Sequence, residues 1–248
     1  MSTSRALASF GGYPSSDPVR HAAGVQAGEA VELVGKLARA PRPTPSPRAM
    51  TNVMLTARTL LEQDLGVECV YVAQPASYDS HASQRSSHDA NLADLDAGIE
   101  AFFFGTQGGV PLGSMGPLNA NVADRTLVMV VSEFGRRIGE NGSSAVAGTD
   151  HGAAAPVLMI GPPPGGAFPR LAPGLHGDHP PMGTPTAPAD NLAMTTDLRS
   201  LYQAVLTHWL HDPDPIWGQA MQPLPGLFQT PPPPPAPSRS GKKASSRR

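Results

Sequence analysis

Aspartate and histidine occur together twice in this chain, at spacings that suit metal binding. Asp79 and His81 stand two residues apart in YDSHASQ, and Asp150 and His151 are adjacent in TDHG. In an extended loop alternate side chains point the same way, so Asp79 and His81 can reach one ion. Carboxylate oxygen with imidazole nitrogen suits zinc, manganese or iron better than calcium. The two pairs predict a site for a divalent metal, with zinc or manganese favoured.

Two further charged residues follow an apolar run and extend this candidate site. TLVMVV at 126–131 leads into Glu133 and Arg136. Glu133 can add another carboxylate ligand, and the alternative is a salt bridge with Arg136 or Arg137. Arg136 is predicted to bind an anionic substrate, because its planar guanidinium matches phosphate or sulfate. For His88, a solvated position in the first turn of a helix is favoured over a role beside a metal ligand.

Other polar residues near these motifs receive simpler interpretations. Ser80 adjoins Asp79 as a nucleophile would, but a turn residue that bonds the local backbone is favoured. His176 and His179 lie in GLHGDHPP, a loop in which no partner for metal binding is identified. The sequence lacks the GxSxG, P-loop and GxGxxG motifs of other catalytic and nucleotide-binding sites.

The predicted helices and strands decide where these motifs lie. Helical spacing of apolar residues predicts helices at 25–40, 49–65 and 88–104, and a last one that Thr195 or Thr196 caps. Runs rich in β-branched residues predict strands at 67–74, 126–131 and 155–161.

The first two of these strands flank a helix and predict a parallel sheet. Strand 67–74, helix 88–104 and strand 126–131 form a βαβ unit, which makes neighbouring strands parallel. Sites in open parallel sheets form outside the carboxyl ends of the strands. We therefore expect the residues after both strands, and the loop of Asp150 and His151, to converge at one edge. The predicted fold class is α/β with a mostly parallel sheet.

Composition restricts the class of protein further. The chain has 248 residues and a net charge of −2, so one domain is the simplest arrangement and no strong field favours nucleic acid. No apolar run has the length of a membrane span, and the N-terminus lacks the apolar core of a signal peptide. The single cysteine, Cys69, is expected to be buried. A cytoplasmic protein without nucleic-acid or membrane partners is predicted, and its oligomeric state is left open.

Changes of composition along the chain predict its organisation. Residues 1–47 are expected to be irregular, with a short helix and the proline-rich linker PRPTPSP. Residues 48–228 are expected to form the α/β domain. Residues 229–248, a proline spacer with a basic end, are expected to be disordered.

The order of the motifs resembles a bacterial family known as domain of unknown function 1501. The resemblance rests on YDSHASQ, HDANLADLDAGIEAFF, DRTLVMVVSEFGRR, GTDHGAAAPVLMIG and TTDLRSLYQAVLTHWL, and covers about residues 48–228. That family is similar to the alkaline phosphatase and sulfatase superfamily. The resemblance thus implies a three-layer α/β/α sandwich and a metal site that hydrolyses phosphate or sulfate esters. Many members look exported, so it also allows export if the start of this chain is mis-assigned.

The resemblance also implies roles for individual residues. Asp79 and His81 look like one ligand pair. Where the superfamily has Asp-His at a strand end, this chain has Glu133 and Phe134, and only Glu133 can bind metal. Active relatives begin with a strand that carries a metal-binding aspartate and a Ser or Thr nucleophile, and residues 1–50 show none. The domain is therefore expected to be incomplete at its N-terminal side.

Two functions follow as expectations. The leading one is metal-dependent hydrolysis of a small phosphate or sulfate ester. Arg136 would bind the anion, and the metal ligands would be Asp79, His81, Glu133, Asp150 and His151. The alternative is a non-catalytic, truncated member of the family with at most a structural metal. A weaker third option is an interaction module that binds its partner through residues 229–248.

Overall fold

The chain divides into two compact units in the computed structural model. The described residues are 18–40, 43, 45–63, 65–142, 146–162, 170–181, 190–212, 214 and 221–229. The first unit comprises Met1–Ala123, Arg136–Gly152 and Thr184–Asn191. The second comprises Asp124–Gly135, Ala153–Gly183 and Leu192–Arg248. The chain passes from one unit to the other several times, so neither is a continuous segment.

The described elements are helices of varied length and strands of two or three residues. The helices are α1 (Pro18–Arg39), α2 (Ala49–Glu62), α3 (Gln84–Phe104), α4 (Ala120–Ala123) and α5 (Leu198–His208). The strands are β1 (Thr106–Gln107), β2 (Val110–Pro111), β3 (Val128–Val130), β4 (Gly135–Arg136), β5 (His151–Gly152), β6 (Leu158–Ile160), β7 (Arg170–Leu171) and β8 (Phe228–Gln229).

Helices α2 and α3 form the core of the first unit. Their apolar spacing predicted both helices, and both predictions are confirmed, although α3 begins at Gln84 and α2 ends at Glu62. Leu55 of α2 is fully buried, and Phe102 of α3 is 2% exposed. Each such side chain contributes roughly 1.5–3 kcal/mol by leaving water. This helical pair is therefore the main apolar anchor of the first unit.

A buried arginine joins α2 to the end of α3. The guanidinium of Arg58 donates to both carboxylate oxygens of Glu62, at 3.2 Å each. It also donates to the carbonyl oxygens of Phe102 at 3.4 Å and Pro117 at 2.9 Å. These acceptors compensate for the burial of the charge, which would otherwise be costly.

The second unit has its own small core around α5. Leu201 and Ala204 of α5 and Leu227 form its buried cluster, and half-buried Met129 and Met159 pack against them. The cap of α5 is Asp197, whose carboxylate accepts a hydrogen bond from the backbone N–H of Arg199. The prediction of Thr195 or Thr196 as the cap was therefore wrong. The neighbouring Arg199 side chain and backbone lower the pKa of Asp197 to about 2.

The predicted fold class was wrong. A three-layer α/β/α sandwich with a mostly parallel sheet is not what the described residues form. Their strands make small two-stranded sheets, and β3 pairs with β6 antiparallel in the register Val128↔Ile160, Met129↔Met159 and Val130↔Leu158. The connection between them contains the hydrogen-bonded pair β4 and β5 instead of a crossover helix. The chain therefore returns beside the end of β3 and runs in the opposite direction.

The predicted strand at 67–74 was also wrong, so the βαβ unit does not form. Residues 67–74 are assigned to no strand, and no backbone hydrogen bond joins them to another described residue. A β-branched sequence is not sufficient, because a strand requires a neighbouring strand to pair with. Cys69, expected to be buried, is exposed on this segment.

Several predictions concern the two ends of the chain. Helix α1 begins at Pro18, earlier than the predicted residue 25, and ends at Arg39. The predicted irregular structure of residues 1–17 and the predicted disorder of residues 230–248 lie outside the described residues. Gln229, which was predicted to begin the disordered tail, belongs to β8. Within the described part of the chain, no helix combines the length and the apolar character needed to cross a membrane.

Candidate metal centre

Four side chains from two distant parts of the sequence meet on the first unit. We call Asp79, His81, Asp150 and His151 the polar cluster. The Nε2 atoms of His81 and His151 lie 3.0 Å and 2.8 Å from the same oxygen of Asp79, Oδ1. The Nδ1 atom of His81 lies 3.2 Å from Oδ1 of Asp150. The two imidazole rings are 5.1 Å apart between centroids.

Backbone pairing and two close approaches hold these loops together. The N–H of Arg137 donates to the carbonyl oxygen of Asp150 at 3.0 Å, beside the β4 and β5 pair. A Cβ atom on Gly148 would collide with the backbone of His81, and one on Gly152 would collide with the backbone of Arg136. The absence of a side chain at both positions lets the loops meet closely enough to assemble the polar cluster.

The side chain of Arg136 links the loops that carry the cluster. Its guanidinium donates to the carbonyl oxygens of Tyr78 and Thr149, at 2.8 Å each. It also donates to Oδ1 of Asp79 at 2.9 Å. Arg136 therefore fixes the position of Asp79 and links residues 78–79 to residue 149. Whether it also binds an anionic substrate stays a prediction.

Asp150 contacts His81 and is itself held by a residue of the same loop. Oδ1 of Asp150 accepts a hydrogen bond from the side-chain amide of Asn141 at 2.9 Å. The side-chain oxygen of Asn141 accepts in turn from the N–H of Gly148 at 3.2 Å. The Asp150 carboxylate is therefore fixed against Nδ1 of His81. This arrangement leaves Nε2 of His81 as the nitrogen that faces Asp79 and His151.

Hydrogen bonding keeps both carboxylates of the cluster in the charged form. The bond from His151 lowers the pKa of Asp79 most, and Arg136 lowers it further, although partial desolvation opposes both. The bond from His81 lowers the pKa of Asp150 most, followed by the bond from Asn141, again against partial desolvation. Deprotonated carboxylates are the form that binds a metal ion or accepts a hydrogen bond from imidazole.

Three atoms of the cluster are placed to ligate one ion. Asp79, His81 and His151 each offer a ligand atom, and these atoms all lie within 4.8 Å of one another. Tetrahedral ligands about 2.1 Å from zinc are roughly 3.4 Å apart, so small side-chain rotations suffice to enclose an ion. Asp150 occupies the position of a carboxylate that orients a ligating imidazole through its other nitrogen. The residues therefore fit a divalent metal with a second carboxylate behind one ligand.

The predicted metal ligands do not all belong to this group. The structure places Asp79, His81 and His151 in it and sets Asp150 behind His81. Glu133 is exposed and belongs to the second unit. Sequence reasoning missed Asn141, which supports Asp150. The Asn141-Gly142 dipeptide is a turn signal between two apolar runs, and it would have indicated a tight turn there.

Comparison with known families agrees with the motifs. A family model described as "Protein of unknown function (DUF1501)" matches residues 20–167, which is more than half of the chain. The chain belongs to this family, and the predicted family is confirmed. No curated protein and no solved structure matches significantly. Nothing in these comparisons supports the further similarity to alkaline phosphatases and sulfatases.

Proposed function

We propose that this chain binds one divalent metal ion, zinc or manganese, through Asp79, His81 and His151, and hydrolyses a small phosphate or sulfate ester there. The observation that carries the proposal is the convergence of one carboxylate and two imidazoles within 4.8 Å. Three protein ligands are typical of catalytic zinc sites, which keep one position open. A metal bound in this way lowers the pKa of a coordinated water and stabilises negative charge on an ester.

The residues of this chain would hold and orient such a centre. Asp79 is kept deprotonated by its hydrogen bonds and fixed in place by Arg136. Asp150 accepts from Nδ1 of His81, which directs Nε2 toward the ion. The cluster is accessible, since its four side chains are 45–48% exposed. Arg136 and Arg137 place positive charge beside the site, which favours an anionic substrate.

A second candidate function is metal binding without turnover. Arg136 favours it, because its guanidinium already donates to Tyr78, Thr149 and Asp79. The residue expected to bind the anion thus has an internal role. In this alternative the ion stabilises the loops, and the chain is a non-catalytic member of its family.

Metal content and turnover of the same samples separate these functions. The full chain is stripped with a chelator, titrated with zinc or manganese, and assayed on aryl phosphate and aryl sulfate. His151→Ala is the test variant, and His179→Ala is the control, because His179 is an exposed histidine outside the cluster. We expect one ion per chain in the wild type and the control, much weaker binding in His151→Ala, and turnover that depends on the ion.

The remaining outcomes would each reject one claim about the hydrolysis, the metal site or its location. One ion per chain without turnover of either ester would reject hydrolysis and support the second candidate. Equal metal binding by the wild type and His151→Ala would reject the site itself. Loss of metal in His179→Ala would place the site in the second unit.

A further inference from the structure

Residues 67–74, which we call the 67–74 segment, are an extended stretch with a half-buried side and an exposed side. Their exposure alternates, with Val70, Val72 and Gln74 half-buried and Cys69, Tyr71 and Ala73 exposed. This is the pattern of a strand with one covered face. No backbone hydrogen bond links the segment to another described residue. Unpaired N–H and C=O groups along an apolar strand are a template for another strand.

The covered face of the segment lies against α2. Val53, Ala57 and Leu60 of α2 line an apolar groove together with Val70, Tyr71 and Val72. The rest of Tyr71 faces solvent, with 89% of the residue exposed. An exposed tyrosine between two valines suits the side of a second strand, where aromatic and β-branched side chains pair.

We propose that the 67–74 segment pairs antiparallel with the same segment of a second copy of this chain, on a two-fold axis at Tyr71. In that register Val70 of each copy lies opposite Val72 of the other, and Tyr71 lies opposite its own copy. Glu68, the only charged residue of the segment, lies opposite Gln74, so no like charges face each other. A shift to a two-fold axis at Val70 would instead place Glu68 opposite Val72. The sequence is thus self-complementary around Tyr71, which favours a second copy over another partner.

This register predicts the distance between the two copies of Cys69. The two copies of Cys69 would lie four positions apart along the paired strands, about 14 Å. A disulfide needs Cα atoms no more than about 7 Å apart. The dimer should therefore form equally well when Cys69 is replaced by serine. It does not depend on the metal site, and it can fail or hold independently of the proposed function.

Charge substitutions at Tyr71 test the proposal. The full chain in a Cys69→Ser background, with Tyr71 changed to Lys, Glu or Thr, is followed by light scattering and sedimentation. Lysine or glutamate opposite its own copy should weaken the dimer roughly tenfold or more, and threonine should preserve it. An equal mixture of Tyr71→Lys and Tyr71→Glu should recover dimers, because opposite charges then meet. Far-UV circular dichroism should not change, since Tyr71 is exposed in the single chain.

Several results would overturn this proposal. One is a wild-type chain that remains monomeric at every concentration at which it is soluble. Dimers that persist in both charged variants would place the interface elsewhere. A mixture that stays monomeric would reject the two-fold axis at Tyr71. Dimers that vanish with Cys69→Ser would indicate a disulfide instead of strand pairing.

Discussion

The helical pair α2 and α3 and the polar cluster belong to the same unit, but different forces hold them. The helices bury Leu55 and Phe102 almost completely, so they are stabilised by the removal of apolar surface from water. The cluster brings together charged and imidazole groups that are about half exposed. Its contacts are hydrogen bonds and ion pairs, which contribute little at an exposed site.

This difference indicates a division of roles. The helical pair draws most of its stability from buried apolar surface, to which the Arg58–Glu62 ion pair is added. The polar cluster is assembled by the close backbone contacts that its glycines permit and by Arg136. Its own contacts add little to the free energy of unfolding. Contacts of the second kind are a weak way to stabilise a fold, because their groups remain largely solvated. Substitutions should therefore separate stability from metal affinity.

The largest expected effect is on the helical pair. Leu55→Ala should lower the free energy of unfolding by about 2–5 kcal/mol, because it leaves a cavity at a fully buried position. Leu92→Ala is the matched control, since Leu92 of α3 is 44% exposed. Urea unfolding followed by circular dichroism measures both. If the two variants unfold at the same urea concentration, the helical pair is not the anchor that we describe.

The next effect is on assembly of the cluster. Gly148→Ala forces a Cβ atom into the backbone of His81, so the backbones of residues 81 and 148 must move apart. Metal affinity should fall by more than the roughly 10–100-fold that loss of an orienting residue costs. Gly116→Ala is the control, because a Cβ atom there meets no atom within 4 Å. Isothermal titration with zinc measures affinity, and unchanged affinity in Gly148→Ala would contradict this account of the loops.

A smaller effect on metal affinity is expected at Asp150, which contacts His81. Asp150→Asn keeps an acceptor for Nδ1 of His81 but removes its charge, so zinc affinity should fall about 10–100-fold. The same number of ions should still bind per chain. Asp89→Asn, at an exposed position on α3, should bind zinc like the wild type. Complete loss of binding in Asp150→Asn would instead make Asp150 a direct ligand, as the sequence alone had suggested.

The smallest effect is the response of the metal-free chain to acid. The folded pKa values of Asp79 and Asp150 lie below the ordinary value of 3.8, so their stabilising contacts are fully present above about pH 4. These contacts are lost as the pH falls through the lowered folded pKa values. Amide exchange of Arg137 should then accelerate, after correction for intrinsic rates, before that of α3. Simultaneous loss of protection in both regions would show that they open together.

Local patterns in the sequence predicted some parts of the fold well and others poorly. Apolar spacing identified α2 and α3 because those helices satisfy their backbone groups internally and bury one face. The 67–74 segment and the strand at 155–161 looked equally regular, but strand pairing depends on which distant segments meet. The antiparallel pairing of β3 with β6 depends on how the chain between them returns. The spacing of apolar residues along the sequence does not predict this return.

The candidate site was predictable in its residue types and less so in its arrangement. The spacing of Asp79 and His81 and the adjacency of Asp150 and His151 indicated the groups that meet. Which of them face one another depends on loop geometry. The contact of Asp150 with Nδ1 of His81 and the internal bonds of Arg136 could not be read from spacing. Both depend on how the folded loops are placed against each other, which the sequence does not display.

The distance along the chain between Asp79 and His151 has a consequence for folding. These residues are 72 positions apart, and their side chains meet at 2.8 Å. An unfolded chain would have to close a loop of that length to offer the same ligands, and the entropy of loop closure opposes this. An ion that binds here is therefore a ligand of the folded chain almost alone. If the ion binds as proposed, its free concentration would add to the free energy of unfolding, and a chelator would remove that addition.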